Sequence, residues 1–222
     1  MKRIITIDGP SGAGKSTVAK ELARRLGFQY LDTGALYRAA ALYLRNRGFD
    51  ETIDDQRLRA ELSGADIFFN GGRVFLNGKD VSEAIRTPEI GHYSSVFSAR
   101  PVVREFLLGL QRSFPERHNT VAEGRDMGTV VFPEADCKFF LDASVKERAR
   151  RRFLQLRAMG KEITEEEAFK DVVERDRRDS SRDVSPLKKA DDALYVDTSE
   201  LSLEDTIELL YRYITEKCGV SA

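Results

Sequence analysis

The run Gly9-Pro10-Ser11-Gly12-Ala13-Gly14-Lys15-Ser16 constrains this chain more than any other feature. It fills every fixed position of a G-x-x-x-x-G-K-[ST] loop. It also follows a short β-like run ending at Asp8 and leads into an apolar period of Val18, Leu22 and Leu26 that Gly27 stops. A strand before the loop and a helix after it are the context in which such a loop has a defined chemistry. Its glycines let consecutive backbone N–H groups converge on one anion, and the helix N-terminus adds favourable dipole charge. Residues Gly9 to Gly14 with Lys15, Ser16 and Thr17 thus read as a cradle for a nucleoside triphosphate. Lys15 would reach the β and γ phosphates and the Ser16 hydroxyl would meet Mg²⁺. A chance glycine-rich turn is the weaker alternative.

At 222 residues the chain is long enough for one full core with an insertion. A content of 41% hydrophobic and 33% charged residues with 6 Pro excludes disordered, collagenous and membrane-spanning classes. The net charge of -1 argues against a nucleic-acid polymer as partner. Within that balance 25 of the 36 basic residues are Arg, whose planar fork suits phosphate and carboxylate oxygens. Cys137 and Cys218 lie far apart in a chain with no secretory segment, so free thiols and a reducing cytoplasmic setting are expected. His92 and His118 are too few for a His/Cys zinc site.

Short apolar runs predict strands at residues 3–8, 29–32, 120–122, 138–141 and 194–196, alternating with helices at 35–47 and 203–216. Ser144-x-x-Glu147 and Thr164-x-x-Glu167 read as capping boxes opening two more helices, to about 159 and 179. Such alternation predicts an α/β fold, a parallel sheet with helices on both faces. Residues 65–81 break the rhythm: Gly71-Gly72 and Asn77-Gly78 separate short apolar runs, the pattern of an antiparallel meander. With the helical stretch after it, this reads as an inserted subdomain at about 62–113 in a single 1–222 domain.

Site chemistry gathers after the predicted strands, at the carboxyl ends where ligands of parallel sheets bind. Thr33 and Arg38, in Asp32-Thr33-Gly34-Ala35-Leu36-Tyr37-Arg38, suit an acceptor phosphate, although Thr33 as a helix cap and Arg38 as a solvated side chain fit equally. Glu123-Gly124-Arg125-Asp126-Met127-Gly128 sets charges between glycines after a buried strand. Glu123 is the preferred carboxylate for Mg²⁺-bound water, with Asp142 the alternative. Nine arginines fall in residues 148–182. Arg148 and Arg152 share a helix face, as do Arg175, Arg178, Asp179 and Arg182. They read either as solvated helices laced with ion pairs or as a mobile lid that excludes water from phosphoryl transfer.

These motifs together resemble bacterial-type cytidylate kinases, a family of P-loop nucleoside monophosphate kinases, and Gly124-Arg125-Asp126-Met127-Gly128-Thr129 is the most family-specific of them. The resemblance implies transfer of the γ-phosphoryl of Mg·ATP to CMP or dCMP by a cytoplasmic monomer with a helical lid at about 148–183. It implies that Thr33, Arg38 and Arg125 hold the acceptor phosphate. Ser95, Arg104, Asp126 and Arg182 would face cytosine, Arg175 and Asp179 the sugar, and Tyr37 and Arg178 would complete the acceptor site. Lys15, Arg125, Arg148, Arg151 and Arg152 would supply positive charge to the transferring group. A carboxylate can accept from the cytosine N4 amino group while arginines donate to N3 and O2, and uracil would set O4 against that carboxylate. Two rivals remain on the residues alone: a small kinase with another acceptor, and a nucleotide-binding switch. The second lacks a guanine-reading Asn-Lys-x-Asp.

Overall fold

The computed structural model describes residues 2–220. Five parallel strands, β1 (Ile4–Asp8), β2 (Gln29–Asp32), β6 (Thr120–Glu123), β7 (Cys137–Asp142) and β8 (Leu194–Asp197), form one sheet in the order β2-β6-β1-β7-β8. The strand that feeds the glycine loop is central: Ile4 to Ile7 pair with Thr120 to Glu123 on one side, and Ile5 to Asp8 with Cys137 to Phe140 on the other. Burial on both faces explains why these runs read as nearly continuous apolar stretches.

Helices cover both faces. Helix α1 (Lys15–Leu26) and α8 (Leu203–Lys217) bury Val18, Leu22, Leu26, Ile207, Leu210 and Ile214 against Ile5, Ile7, Phe139 and Leu141. On the other face α2 (Thr33–Asn46) shares a core with α3 (Asp55–Leu62), the meander strands β3 (Ile67–Asn70) and β4 (Arg73–Leu76), α4 (Pro88–Phe97) and α5 (Pro101–Ser113), while the third meander strand, β5 (Lys79–Asp80), is exposed. The meander is antiparallel as expected. Helix α3 was not foreseen, because its only buried residues are Leu58 and Leu62. The arginine-rich region folds as α6 (Val145–Ala158) packed on α7 (Glu165–Ser180), and α4 of the insertion touches α7.

Three expectations are corrected. Cys137 and Cys218 are joined by a disulfide rather than free. Helix α8 lies across the sheet face that β7 faces, bringing the two Cα atoms to 5.8 Å despite a sequence separation of 81. Thr33 is not the cap of α2: Asp32 is, its side chain accepting from the Ala35 N–H at 2.9 Å. At α7 the capping box is complete, but at α6 only the Ser144 half forms. Glu147 pairs instead with Arg150 and Arg151, one turn along, where charge-assisted bonds outcompete a neutral N–H. Among the described residues no helix is long and apolar enough to cross a membrane.

Candidate active site

Every strand of the parallel sheet ends at one edge, and a cavity of about 650 Å³ opens there between α2, the insertion and the α6–α7 pair. The glycine loop forms its floor. Gly9, Gly12 and Gly14 take φ of 144°, 80° and 86°, and a Cβ on Gly9 would sit 1.9 Å from the Leu141 carbonyl oxygen. Only glycine lets the loop pass so close to β7. Helix α1 begins with no side-chain cap and no acidic residue in its first turn, so its leading N–H groups face an anion seat. Lys15 is 5% exposed and donates to the Pro10 carbonyl at 2.6 Å. Burial, with Arg125 nearby, pushes its ammonium down to about 7, the condition of a cation short of negative charge.

Opposite the loop stands the segment after β6. Thr33 donates to the Glu123 carbonyl at 2.7 Å, and Tyr30 donates to the Glu123 carboxylate at 2.6 Å. The packing at Gly124 is tight, since a Cβ would lie 2.7 Å from Met127 Cε and 2.9 Å from the Thr33 hydroxyl and both side chains would have to shift. Arg125 projects into the cavity and bonds Asp179 on α7 at 2.8 Å. Burial works against the charge of Asp179, but Arg125, Arg175 and Arg182 together hold its carboxyl below the usual range. Arg175 has no partner for Nε, and burial beside Arg125 presses it down to about 9.

Asp126 is 2% exposed and pairs with Arg104, itself 6% exposed. Arg104 also donates to the Ser98 carbonyl at 3.2 Å and lies over the Tyr37 ring, 5.3 Å from its centroid. Arg182 donates to the Asp179 carbonyl at 3.2 Å. Arg104 Nε, Arg182 Nη2 and Ser95 Oγ are buried without a protein partner. Buried polar atoms are ordinarily paired, so the two arginine nitrogens, whose residues line the cavity, mark where a polar ligand would complete the network. Arg38 lines the cavity, half-buried, with Nη1 donating to the Ile85 carbonyl at 3.3 Å. It is not the solvated side chain that its sequence also allowed.

The structure separates the lid arginines. Arg151 and Arg152 line the cavity. Arg148 does not: it is buried and donates to Ala143 O at 2.8 Å, to Ser11 O at 3.2 Å and to Asp176 at 2.5 Å, bracing the glycine loop from behind. Its place among charge-supplying groups is therefore corrected. Arg178, with Nε and Nη1 unpartnered, and Ser95 lie beside the cavity rather than on its wall, while Ser94 and Ser98 are on it. Gly9 and Pro10 support the loop without lining the cavity. Of the two carboxylates weighed for Mg²⁺, Glu123 lines the cavity, whereas Asp142 accepts from the Ala143 N–H at 2.8 Å and faces Arg148.

Sequence reading missed several groups. Asp32 and Arg86 line the cavity 3.4 Å apart, and Thr198, Leu201, Leu203 and Thr206 form its far end, where Arg151 bonds both Thr198 Oγ1 and its carbonyl. That far end follows β8, so the rule that ligands gather beyond strand carboxyl ends would have found it.

The cytidylate kinase family profile matches residues 5–216. The chain belongs to the cytidylate kinase family. It is 54% identical over 220 residues to a cytidylate kinase of Thermodesulfovibrio yellowstonii, covering 97% of this chain and 99% of that protein. To a cytidylate kinase of Thermosipho melanesiensis it is 48% identical, covering 96% and 97% of the two chains. An uncharacterized protein of Eubacterium ventriosum shares the fold at a TM-score of 0.52 and 14% identity, with 97% and 100% of the two chains covered.

Proposed function

We propose that this chain transfers the γ-phosphoryl group of ATP to CMP or dCMP, giving ADP and CDP or dCDP. The observation that carries the reading is the buried Asp126–Arg104 pair, with unpartnered Arg182 Nη2, facing the anion seat of the glycine loop across one cavity. The loop and Lys15 grip the triphosphate; Arg38, Arg125 and Thr33 seat the acceptor phosphate. Asp126 accepts from the cytosine amino group while Arg104 and Arg182 donate to its ring acceptors. Arg175 and Asp179 meet the sugar. Residues 62–113 present the acceptor, and residues 148–183 close over both nucleotides so that water does not compete for the phosphoryl group.

Catalysis needs no protein nucleophile. It rests on alignment and on neutralising charge spread over the transferring group, which Lys15, Arg125, Arg151 and Arg152 supply. The Ser16 hydroxyl and the Glu123 carboxylate both line the cavity beside the loop and are hard oxygen donors, a set that fits Mg²⁺. Ser16 and Glu123 would hold the ion, whose positive charge would offset the negative charge of the donor phosphates. The protein works as a cytoplasmic monomer on small nucleotides, without nucleic-acid or membrane partners.

A coupled ADP-release assay across CMP, dCMP, UMP, AMP and non-nucleotide acceptors tests the reading. CMP and dCMP are expected to exceed UMP by at least about tenfold in kcat/KM. A clear preference for UMP, AMP or a non-nucleotide refutes it, and ATP binding without acceptor-dependent ADP release makes the protein a switch.

A further inference from the structure

Asp8 is the last residue of the central strand, immediately before the glycine loop, and is 4% exposed. It does not line the cavity. Its carboxylate takes two consecutive backbone donors from the segment after β6: Met127 N–H at 2.8 Å on one oxygen and Gly128 N–H at 2.7 Å on the other. Just before, Gly124 N–H donates to the Ile7 carbonyl at 3.1 Å. The chain therefore leaves β1 at Gly124 and is fastened to it again at Met127 and Gly128. The residues left spanning between these points are Arg125 and Asp126.

The chemistry of this fastening is selective. An ionised carboxylate is an acceptor on both oxygens and so matches two adjacent N–H groups, here the unpaired donors that open a single π turn at Met127–Val131. The close approach depends on Gly128, where a Cβ would stand 3.1 Å from Thr6 Oγ1 and 3.4 Å from Asp8 Oδ2. From that turn Val130 N–H and Val131 N–H reach back to the Asp126 carbonyl at 2.9 and 3.1 Å, so the backbone of Asp126 is held from both directions.

We infer that Asp8 is a positioning residue: by holding the amides of Met127 and Gly128 it sets Arg125 and Asp126 at fixed distance from the phosphate loop. It thereby registers the acceptor against the donor. The strand that ends in the donor cradle is the same one that suspends the acceptor-reading pair, so one carboxylate couples the two half-sites. This inference rests on the acceptor reading given under Proposed function.

Asp8→Asn is nearly isosteric and leaves one acceptor, but sets an amide NH₂ against the second backbone N–H. The proposal expects kcat/KM for CMP at pH 8 to fall about 30-fold and the CMP-over-UMP ratio about tenfold, with the dissociation constant of ATP held within about threefold. A purely structural role would lower the melting temperature while leaving the kinetic constants of the folded enzyme and its base preference unchanged, and that result overturns the inference. So does a loss confined to ATP binding. Gly128→Ala, whose Cβ would crowd Thr6 Oγ1 at 3.1 Å and Lys138 Cδ at 3.2 Å and so strain the Gly128–Asp8 contact without altering the charge of Asp8, is expected to reproduce the same split in smaller measure and decides the matter if Asp8→Asn does not fold. The wild-type acceptor panel keeps the two levels apart. If the wild type does not favour CMP, the functional reading fails; if it does and both variants keep that preference, only the role of Asp8 fails.

Discussion

Asp126→Asn is the perturbation that most directly probes how the acceptor is read. One carboxylate oxygen, Oδ2, is engaged by Arg104 Nη2, so the other is the one a base meets. Replacement by Asn keeps the carbonyl oxygen toward the arginine, which only donates and so needs an acceptor, and turns the NH₂ toward the base. That group repels the cytosine N4 amino and can donate to the uracil O4. A buried donor–donor mismatch costs about 1–3 kcal/mol, so the ratio of kcat/KM for CMP over UMP should fall by roughly 10- to 100-fold, from loss on CMP, gain on UMP or both. The pair is buried on both sides, with side chains 6% and 3% exposed, so stability is affected as well. Removing a partner outright would cost about 3–5 kcal/mol. The retained amide oxygen keeps the loss near or below 3 kcal/mol, about 6 °C in a 222-residue chain. Steady-state kinetics with both acceptors, below the melting transition, measure the ratio. If it stays within twofold of wild type while the melting temperature drops, Asp126 is structural and the base-reading argument is wrong.

Arg125→Ala should lower kcat about a thousandfold while ATP binding changes less than about threefold, because the guanidinium serves the transferring group and Asp179 rather than the donor cradle; equilibrium ATP titration beside turnover checks it, and an ATP-side defect with CMP turnover intact contradicts it. Reducing the Cys137–Cys218 bond releases a loop of sequence separation 81, worth about 4.5 kcal/mol in the chain-entropy estimate, so the melting temperature should fall by about 10 °C. Scanning calorimetry with and without reductant tests this, and thiol titration of the unreduced denatured protein should find no free cysteine. The pH dependence of stability should carry the signature of Asp8, whose carboxyl burial pushes up from 3.8 to about 7 against the pull of its two amide donors and Lys15. A raised folded-state pKa means its contribution is full below pH 4 and is lost as pH rises through 7. Wild type minus Asp8→Asn stability, from urea melts, should therefore shrink from pH 5 to pH 8, and a constant difference would reject the assignment.

The phosphate cradle was legible in the sequence because its chemistry is carried by backbone geometry at fixed spacing, with glycines that nothing can replace. The five parallel strands were legible for a related reason: burial on both faces leaves unmistakable apolar runs. Helix α3 escaped because two leucines in eight residues make no period. The disulfide escaped because proximity across a sheet face is a tertiary fact, which neither a long sequence separation nor the expected compartment reveals. Arg148 read as a lid residue supplying positive charge, from the resemblance and its helix face; only the fold reveals that its guanidinium is spent on the Ala143 and Ser11 carbonyls and on Asp176. Asp8 gave no signal, as a carboxylate at a strand end is commonplace and its partners lie 119 and 120 residues away.

The central position of β1 also bears on how the molecule is made. This strand has both neighbours far downstream: β6 begins at Thr120 and β7 ends at Asp142. At ordinary synthesis rates of 5–20 residues per second, roughly ten seconds pass before either edge of β1 can be paired. Closing loops of that length before any contact rewards them makes the sheet slow to form. Residues 33–113, by contrast, hold α2 and the whole insertion, whose contacts are close in sequence and can consolidate early. The nascent chain thus carries an unpaired apolar strand until Asp142 has emerged, and the core beside it is completed only when Ala122, Met127, Val131 and Phe132 arrive.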